Sequence, residues 1–307
     1  TTKAKSIIVM TPVAVEILMN QYDLKTDIAV FPHGIPSVPF TSTFSAKRQL
    51  GLANRTVLSS FGLVSSGKGY EFVIDALPDV VEKNPDVLYL IFGETHPVVR
   101  KQEGESYRNF LEEKVKELGL QNHVKFYNKY LDLQEIVTYL RATDLYISSG
   151  QEPRQITSGT LAYAMGCGRP VVSTPFLHAQ DMVRDNRGKL AEFDDVESFS
   201  EAISSMVADP IKMQQWGWNA YYHTRHMTWP NVGLAYMDLF RKHIEVSAEE
   251  ELPVIKLDHM RTLTDDFGII QFAKITTPDI ESGYTLDDNA RALIVAGMSY
   301  QESGKTE

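Results

Sequence analysis

Among 307 residues there is one cysteine, Cys167. A lone thiol excludes an internal disulfide and a cysteine-based zinc cluster, and it fits a reducing compartment, so the expected setting is the cytoplasm. Positive charge is short too. Thirty Lys and Arg against 40 Asp and Glu leave a net charge of −10. So acidic a chain lacks a general grip on a phosphate backbone, and no nucleic-acid partner is expected, although a local basic site for one small anion is still allowed. Long apolar runs are missing as well. No stretch approaches the roughly 18 residues of a transmembrane helix, and the opening run Ile7–Met10 is too short for a signal-peptide core. There is no initiator methionine, the chain starts almost inside an apolar run and it ends in the polar QESGKTE, so a piece of something longer is expected.

What is present is alternation. Short apolar runs, rich in Val, Ile, Leu and Phe, fall at Ser6–Met10, Ile28–Phe31, Thr56–Phe61, Val87–Phe92, His123–Phe126, Leu145–Ser148, Pro170–Ser173 and Lys189–Phe193. Between them lie segments of helical period at Thr11–Tyr22, Tyr70–Lys83, Ser106–Leu118, Leu133–Ala142 and Ser158–Cys167. In Tyr70–Lys83 the residues Phe72, Val73, Ala76, Leu77, Val80 and Val81 recur at three and four, which marks a stripe packed on a sheet, with Pro78 as a potential kink. Strand and helix in turn are the sequence form of βαβ units, so the expected fold class is α/β, a Rossmann-like parallel sheet with helices on both faces. Three further helices are expected from about Val196, the last being Asn231–Val246. The expected domains are a lobe over 1–246, a charged linker at 247–255, and over 256–307 the incomplete start of a helical domain, opening as helix-loop-helix.

Two segments have the chemistry of an anion site. In FGLVSSGKGYEF, Phe61–Phe72, a strand runs through a Ser/Gly loop into a helix. Glycines let the backbone approach closely, free N–H groups at the helix start point outward, and Lys68 adds a charge suited to a diphosphate. This is not a Walker loop, because Gly69 follows the Lys where Ser or Thr is needed. The alternative is a Gly-rich turn with a solvated Lys. The second segment, Gln151–Phe176, places Ser158, Gly159 and Thr160 at a helix start, where they cap the helix or hold a phosphate. Loops at the carboxyl ends of strands in one parallel sheet face one crevice, so the pair says more than either alone.

The order of segments resembles the C-terminal, nucleotide-sugar-binding lobe of a family 4 glycosyltransferase of GT-B fold. VFPHGIP at 30–36 resembles the family's VIPNG segment, FGLVSSGKG its V-G-R-L-x-x-x-K-G loop, and AMGCGRPVVST at 164–174 its E-A-M-A-x-G-x-P-V-V-A-T stretch, with TDLYISSG at 143–150 also fitting. The resemblance covers roughly residues 1–245. It implies transfer of a sugar from a nucleotide-diphosphate-sugar to an acceptor with retention of configuration, and no cofactor or bound metal beyond the donor itself. By this resemblance Lys68, the backbone at Ser65, Ser66 and Gly67, and Ser158, Gly159 and Thr160 hold the donor's phosphates. Two departures stand out. Leu63 replaces the Arg of V-G-R, and Gln155 and Tyr163 occupy the places of the family's paired glutamates, the second of which ordinarily binds the donor ribose; Glu152 lies three residues before the first. The implied acceptor lobe precedes residue 1, so this chain alone is expected to bind donor weakly and to turn over little.

Other residues are weaker candidates. His96 lies before Pro97 beyond a strand, where Pro biases it to extended backbone at a point that can face the crevice, and Arg100, Lys101 and Arg108 nearby can replace the charge missing at Leu63 or stand solvated. No H-E-x-x-H and no G-x-S-x-G occurs, so neither a zinc peptidase nor a serine hydrolase is indicated. The pairs Asp265–Asp266 and Asp287–Asp288 either cap helices or serve a carbohydrate-active helical domain as acid and base. The rival to the transferase is a non-catalytic nucleotide-binding or scaffold lobe, motivated by Leu63, Gln155 and Tyr163.

Overall fold

The computed structural model describes residues 4–246 and 256–303; the expected linker at 247–255 lies outside the described residues. The chain divides into two compact units, the first ending at Ile244 and the second beginning at Glu245.

In the first unit β1 (Ser6–Val9) and β2 (Asp27–Val30) form a two-stranded parallel sheet, crossed over by α1 (Pro12–Gln21). A long segment then leads through α2 (Thr43–Gln49) into the main sheet: β3 (Thr56–Phe61), α3 (Tyr70–Lys83), β4 (Val87–Phe92), α4 (Pro97–Glu103), α5 (Ser106–Glu117), β5 (Val124–Tyr127) and α6 (Leu133–Ala142). The chain crosses back into β6 (Leu145–Ser148), α7 (Gly159–Gly166), β7 (Val171–Ser173), α8 (Leu177–Met182) and β8 (Gly188–Leu190), then closes with α9 (Val196–Val207), α10 (Pro210–His223) and α11 (Trp229–Val246). All six main-sheet strands are parallel, in the order β5-β4-β3-β6-β7-β8. The order reverses between β3 and β6, and at their carboxyl ends such a reversal opens a crevice.

Every residue of β4 is buried, which is why it reads as an unbroken apolar run rather than an alternating one. Tyr89 and Ile91 join Leu58, Ile74, Leu77, Leu111 and Phe199 in a core on one face of the sheet. Leu88, Leu90 and Phe92 join Val57, Phe61, Val137, Leu161 and Met165 on the other. Helices thus cover both faces, as the alternation of segments requires. Five expected elements have the observed bounds, Thr56–Phe61, Tyr70–Lys83, Val87–Phe92, Leu133–Ala142 and Leu145–Ser148, and α3 runs unbroken through Pro78. Asp132 and Glu135 form a capping box at the start of α6. Asp132→Ala should therefore cost about 1 kcal/mol in urea unfolding, where an exposed carboxylate without a cap would change nothing measurable.

The C-terminal unit corrects the helix-loop-helix expectation. Between α12 (Asp258–Thr262) and α13 (Leu286–Ser303) stands an antiparallel hairpin of β9 (Ile270–Lys274) and β10 (Thr277–Tyr284). The alternation in IIQFAK, read as part of a helix, is that of a strand. The acidic pairs are engaged locally. Asp265 accepts from the N–H groups of Phe267 and Gly268 and from the Tyr284 hydroxyl, while Asp287 and Asp288 sit in the first turn of α13 and pair with Arg291 at 2.8 and 2.9 Å. These are turn and helix-start roles. Among the described residues of this unit Ile270 is the one buried hydrophobic side chain, and Phe267, Ile275, Leu286 and Leu293 are largely exposed.

Candidate functional site

At the reversal point the ends of β3 and β6 frame a narrow cleft. It is lined by Ser60 and Phe61 from β3, Tyr146 to Gly150 from β6 and beyond, Lys68 and Tyr70 from the β3–α3 connection, and Gln155, Ser158 and Thr160 from the β6–α7 connection. The two loops singled out in the sequence therefore meet. Ser60 Oγ donates to the Ile147 carbonyl at 2.7 Å, tying the two strands together beneath the cleft. Burial pushes the pKa of the Tyr146 hydroxyl up to about 12, so the floor is neutral and rich in hydroxyls. Among the described residues that line the cleft, Lys68 is the one charged side chain.

The Lys68 loop is shaped by glycine. Ser66–Lys68 form one turn of 3₁₀ helix, and Gly69 follows at φ 60°, where a Cβ would lie 2.3 Å from Gln151 Nε2 and 2.5 Å from the Ser149 carbonyl. Ser149 Oγ donates to the Lys68 carbonyl at 2.7 Å and Gln151 N–H to that of Gly67 at 3.0 Å, so the second loop braces the first. The Lys68 ammonium lies over Gly62, 3.7 Å from where a Cβ would stand. It makes no ion pair with the described residues, and burial lowers its pKa. An unpaired, part-buried ammonium favours an anion beside it. One expectation is corrected. The first N–H of α3, at Tyr70, is not free: it donates to the Tyr107 hydroxyl at 3.3 Å, which in turn donates to Glu71.

The start of α7 differs. The Ser158 N–H donates to His178 Nδ1 at 2.9 Å and the Leu161 N–H to Ser158 Oγ at 3.4 Å. Between them, the N–H groups of Gly159 and Thr160 have no partner among the described residues. Gly159 also needs to be glycine for packing, since a Cβ there would meet His33 Nε2 at 2.8 Å. Two free N–H groups at the positive end of a helix, beside a lysine and without a carboxylate, form a place for a small anion.

The remaining candidates are distributed. Gln155 lines the cleft, its Nε2 donating to the Thr157 carbonyl at 3.0 Å. Tyr163, one turn along α7, packs edge-on against His33 with ring centroids 5.5 Å apart and is absent from the cleft lining. Glu152 is exposed on the loop and accepts from the Arg154 N–H at 3.0 Å. His96 is a helix cap: its Nδ1 accepts from the Val98 N–H at 3.2 Å, at the head of the short α4. Arg100 pairs with Glu105 at 2.8 Å and with Glu94 at 3.6 Å. Neither His96 nor Arg100 lines the cleft. Arg108, read as solvated or as a replacement charge, is only 3% exposed and donates through Nη2 to the Gly93 carbonyl at 2.6 Å, which holds the turn after β4. Ser65, Ser66 and Gly67 stand just before Lys68 in the loop and are absent from the cleft lining; their own N–H groups are unpartnered among the described residues.

Sequence reasoning passed over Ser60, Tyr70, Tyr146, Ser148 and Ser149 as lining residues, although the rule that ligands bind at strand carboxyl ends points to Tyr146, Ser148 and Ser149. His178 had no local signal, because its partner lies 20 residues away. Its pKa is lowered to about 4 by burial, as is that of His223, near Arg187. The unfolded chain takes up these protons near pH 6.5 and the folded chain does not, so stability falls as pH drops through this interval. Between pH 6.5 and 5, above the carboxylate range, the melting temperature should decline, and His178→Asn should flatten that slope; a pH-independent melting temperature would count against neutral buried imidazoles.

The described residues contain no group of three His, Cys, Asp or Glu placed to hold a metal, and no helix long and apolar enough to cross a membrane. The sequence profile described as Glycosyl transferases group 1 matches residues 43–223, more than half of the chain. The chain belongs to this family. It is 31% identical over 176 residues to mannosylfructose-phosphate synthase of Agrobacterium fabrum, covering 55% of this chain and 37% of that protein. It is 24% identical over 231 residues to a GDP-mannose-dependent monoacylated alpha-(1-6)-phosphatidylinositol monomannoside mannosyltransferase of Corynebacterium glutamicum, covering 67% and 56%. Among solved structures, Anabaena HepE in complex with UDP and glucose superposes with a TM-score of 0.65 at 21% identity, over 78% of this chain and 64% of that one. Sucrose-phosphate synthase from Thermosynechococcus elongatus gives 0.65 at 22%, over 80% and 59%. The fold is thus the Rossmann-like lobe of GT-B proteins, and the chain spans between about a third and two thirds of the length of these relatives.

Proposed function

We propose that this chain is the donor-binding part of a glycosyltransferase that moves a sugar from a nucleotide-diphosphate-sugar to an acceptor with retention of configuration. One observation carries the proposal: the part-buried Lys68 ammonium, without an ion pair among the described residues, shares a carboxylate-free cleft with the start of α7, where the Gly159 and Thr160 N–H groups have no partner among those residues. As the glycosidic bond to the donor breaks, negative charge grows on the leaving diphosphate. Lys68 and the fixed N–H dipoles stabilise that charge more than they stabilise the bound donor, which lowers the barrier. Gln155 and the hydroxyls of Ser148, Ser149 and Ser158 offer neutral hydrogen bonds to the rest of the donor. Tyr163 and Glu152 leave the ribose without the carboxylate that the family resemblance implies at that place. Names among the relatives that include UDP and GDP-mannose support a nucleotide donor.

The acceptor side belongs to a further lobe. A parallel pair such as β1–β2 is ordinarily covered on both faces within a larger sheet, yet here all its residues are half-buried or exposed. We assign residues up to 246 to the donor lobe and those from 256 to the start of a further domain. Buried Cys167, its thiol pushed up to about 11, suits a reducing, cytoplasmic setting.

The test incubates the complete protein with UDP-, GDP- and ADP-sugars and a panel of sugar, sugar-phosphate and polyol acceptors, and follows the anomeric proton of the product by NMR. Transfer with retention is expected from the complete protein and little or none from the 307-residue chain. Inversion, or fast turnover by the chain alone, would contradict the proposal.

A further inference from the structure

The connection between β6 and α7 carries Gln155 and Ser158 into the cleft, yet it has no regular structure from Gly150 to Thr157. What fixes it is the segment after β7. Thr174 Oγ1 donates to the Gly150 carbonyl at 2.5 Å, the Leu177 N–H to that of Pro153 at 3.1 Å, and the His178 N–H to that of Gln155 at 3.2 Å. The last tie is the side chain of His178, 4% exposed, whose Nδ1 accepts the Ser158 N–H at 2.9 Å. An imidazole that accepts at Nδ1 carries its proton on Nε2 and is neutral. Asp181 on α8 and His33 are the titratable groups whose charges act on it.

We infer that His178 is a positioning residue of the donor site: by taking the Ser158 N–H it sets the entry of the chain into α7, so that the next two N–H groups, of Gly159 and Thr160, face the diphosphate. The inference rests on the donor reading above and adds a residue that touches no ligand. The four N–H groups at this helix start divide without overlap. His178 takes the first, the two after it are free, and Ser158 Oγ takes the fourth, at Leu161. Without an acceptor at His178 the Ser158 N–H turns to solvent in the cleft, since a buried donor left unmade is costly, and the peptides that follow turn with it. An asparagine side chain can put an oxygen where Nδ1 stands. Leucine fills the volume and offers none.

UDP, GDP and ADP are titrated calorimetrically into the 307-residue chain carrying His178, His178→Asn or His178→Leu, with folding checked by circular dichroism. The wild-type chain is expected to bind at least one nucleotide, His178→Asn to stay within about threefold of it, and His178→Leu to lose about 10-fold. Equal affinity in wild type and a folded His178→Leu overturns the inference, as does an equal loss in both variants. Failure of the wild-type chain to bind any of the three defeats the donor reading itself. Should His178→Leu not fold, the decision passes to His178→Asn and to ¹⁵N spectra of the wild-type imidazole at pH 7. The neutral Nε2–H form with affinity kept in His178→Asn supports the role; an Nδ1–H form, an imidazolium, or a 10-fold loss in His178→Asn overturns it.

Discussion

Replacing Lys68 by alanine is expected to weaken nucleoside diphosphate binding by about 10- to 100-fold while leaving the fold intact. The estimate follows from the bonds lost: a charge-assisted hydrogen bond contributes about 1.5–3 kcal/mol, and 1.4 kcal/mol is tenfold. Among the described residues Lys68 makes no ion pair, so its removal breaks none of theirs. Burial has already lowered its pKa, and truncation relieves that cost, so stability should hold or rise slightly. Calorimetry with UDP, GDP and ADP reads the affinity, and urea unfolding reads the stability. Unchanged affinity would mean that the ammonium faces water rather than the ligand.

Gly93→Ala should do the opposite, damaging the fold first. Gly93 ends β4 at φ 139°, and a Cβ there would lie 1.9 Å from the Gly62 carbonyl oxygen, closer than any real contact. Gly62 itself stands at φ 142°. Both glycines still donate across the sheet, Gly62 to Phe92 and Gly93 to Tyr127, before the chain turns away. An added methyl must separate the ends of β3 and β4, the framework on which the Lys68 loop is built. A loss above about 3 kcal/mol is expected, seen as a fall of about 1 M or more in the urea midpoint or as failure to fold. Gly119→Ala is the control, because Gly119 at φ 68° ends α5 with open space around it and should cost about 1 kcal/mol. Equal effects at the two positions would show that Gly62 and Gly93 are not in contact.

Much of the lobe was legible because its central strands are covered on both faces. Val87–Phe92 can be nothing but apolar, and the three-four stripe of α3 follows from packing on that sheet. Three short helices were not legible, for a physical reason that α2 illustrates. TFSAKRQ has no apolar stripe; what docks it is Lys47, paired with Asp144 and donating to the Arg55 carbonyl at 2.9 Å, and Thr43, donating to Asp144 at 3.0 Å. Contacts between residues about a hundred positions apart leave no local pattern. The site divides in the same way. Lys68, Ser158 and Thr160 stand out because glycines and hydroxyls at helix starts have a local meaning, and they do line one cleft. His96, by contrast, has the local signal of a residue before proline and uses it to cap α4. Arg108 looks like a surface arginine and is buried against Gly93.

The cleft between the ends of β3 and β6 is held to be a diphosphate site, and a calorimetric comparison of a nucleoside, its monophosphate and its diphosphate on the 307-residue chain tests this most directly. Affinity should reside in the diphosphate, with at least a tenfold gain from monophosphate to diphosphate for one of the uridine, guanosine and adenosine series, lost again in Lys68→Ala. A folded chain that binds none of them, or that binds monophosphate and diphosphate equally, would contradict it.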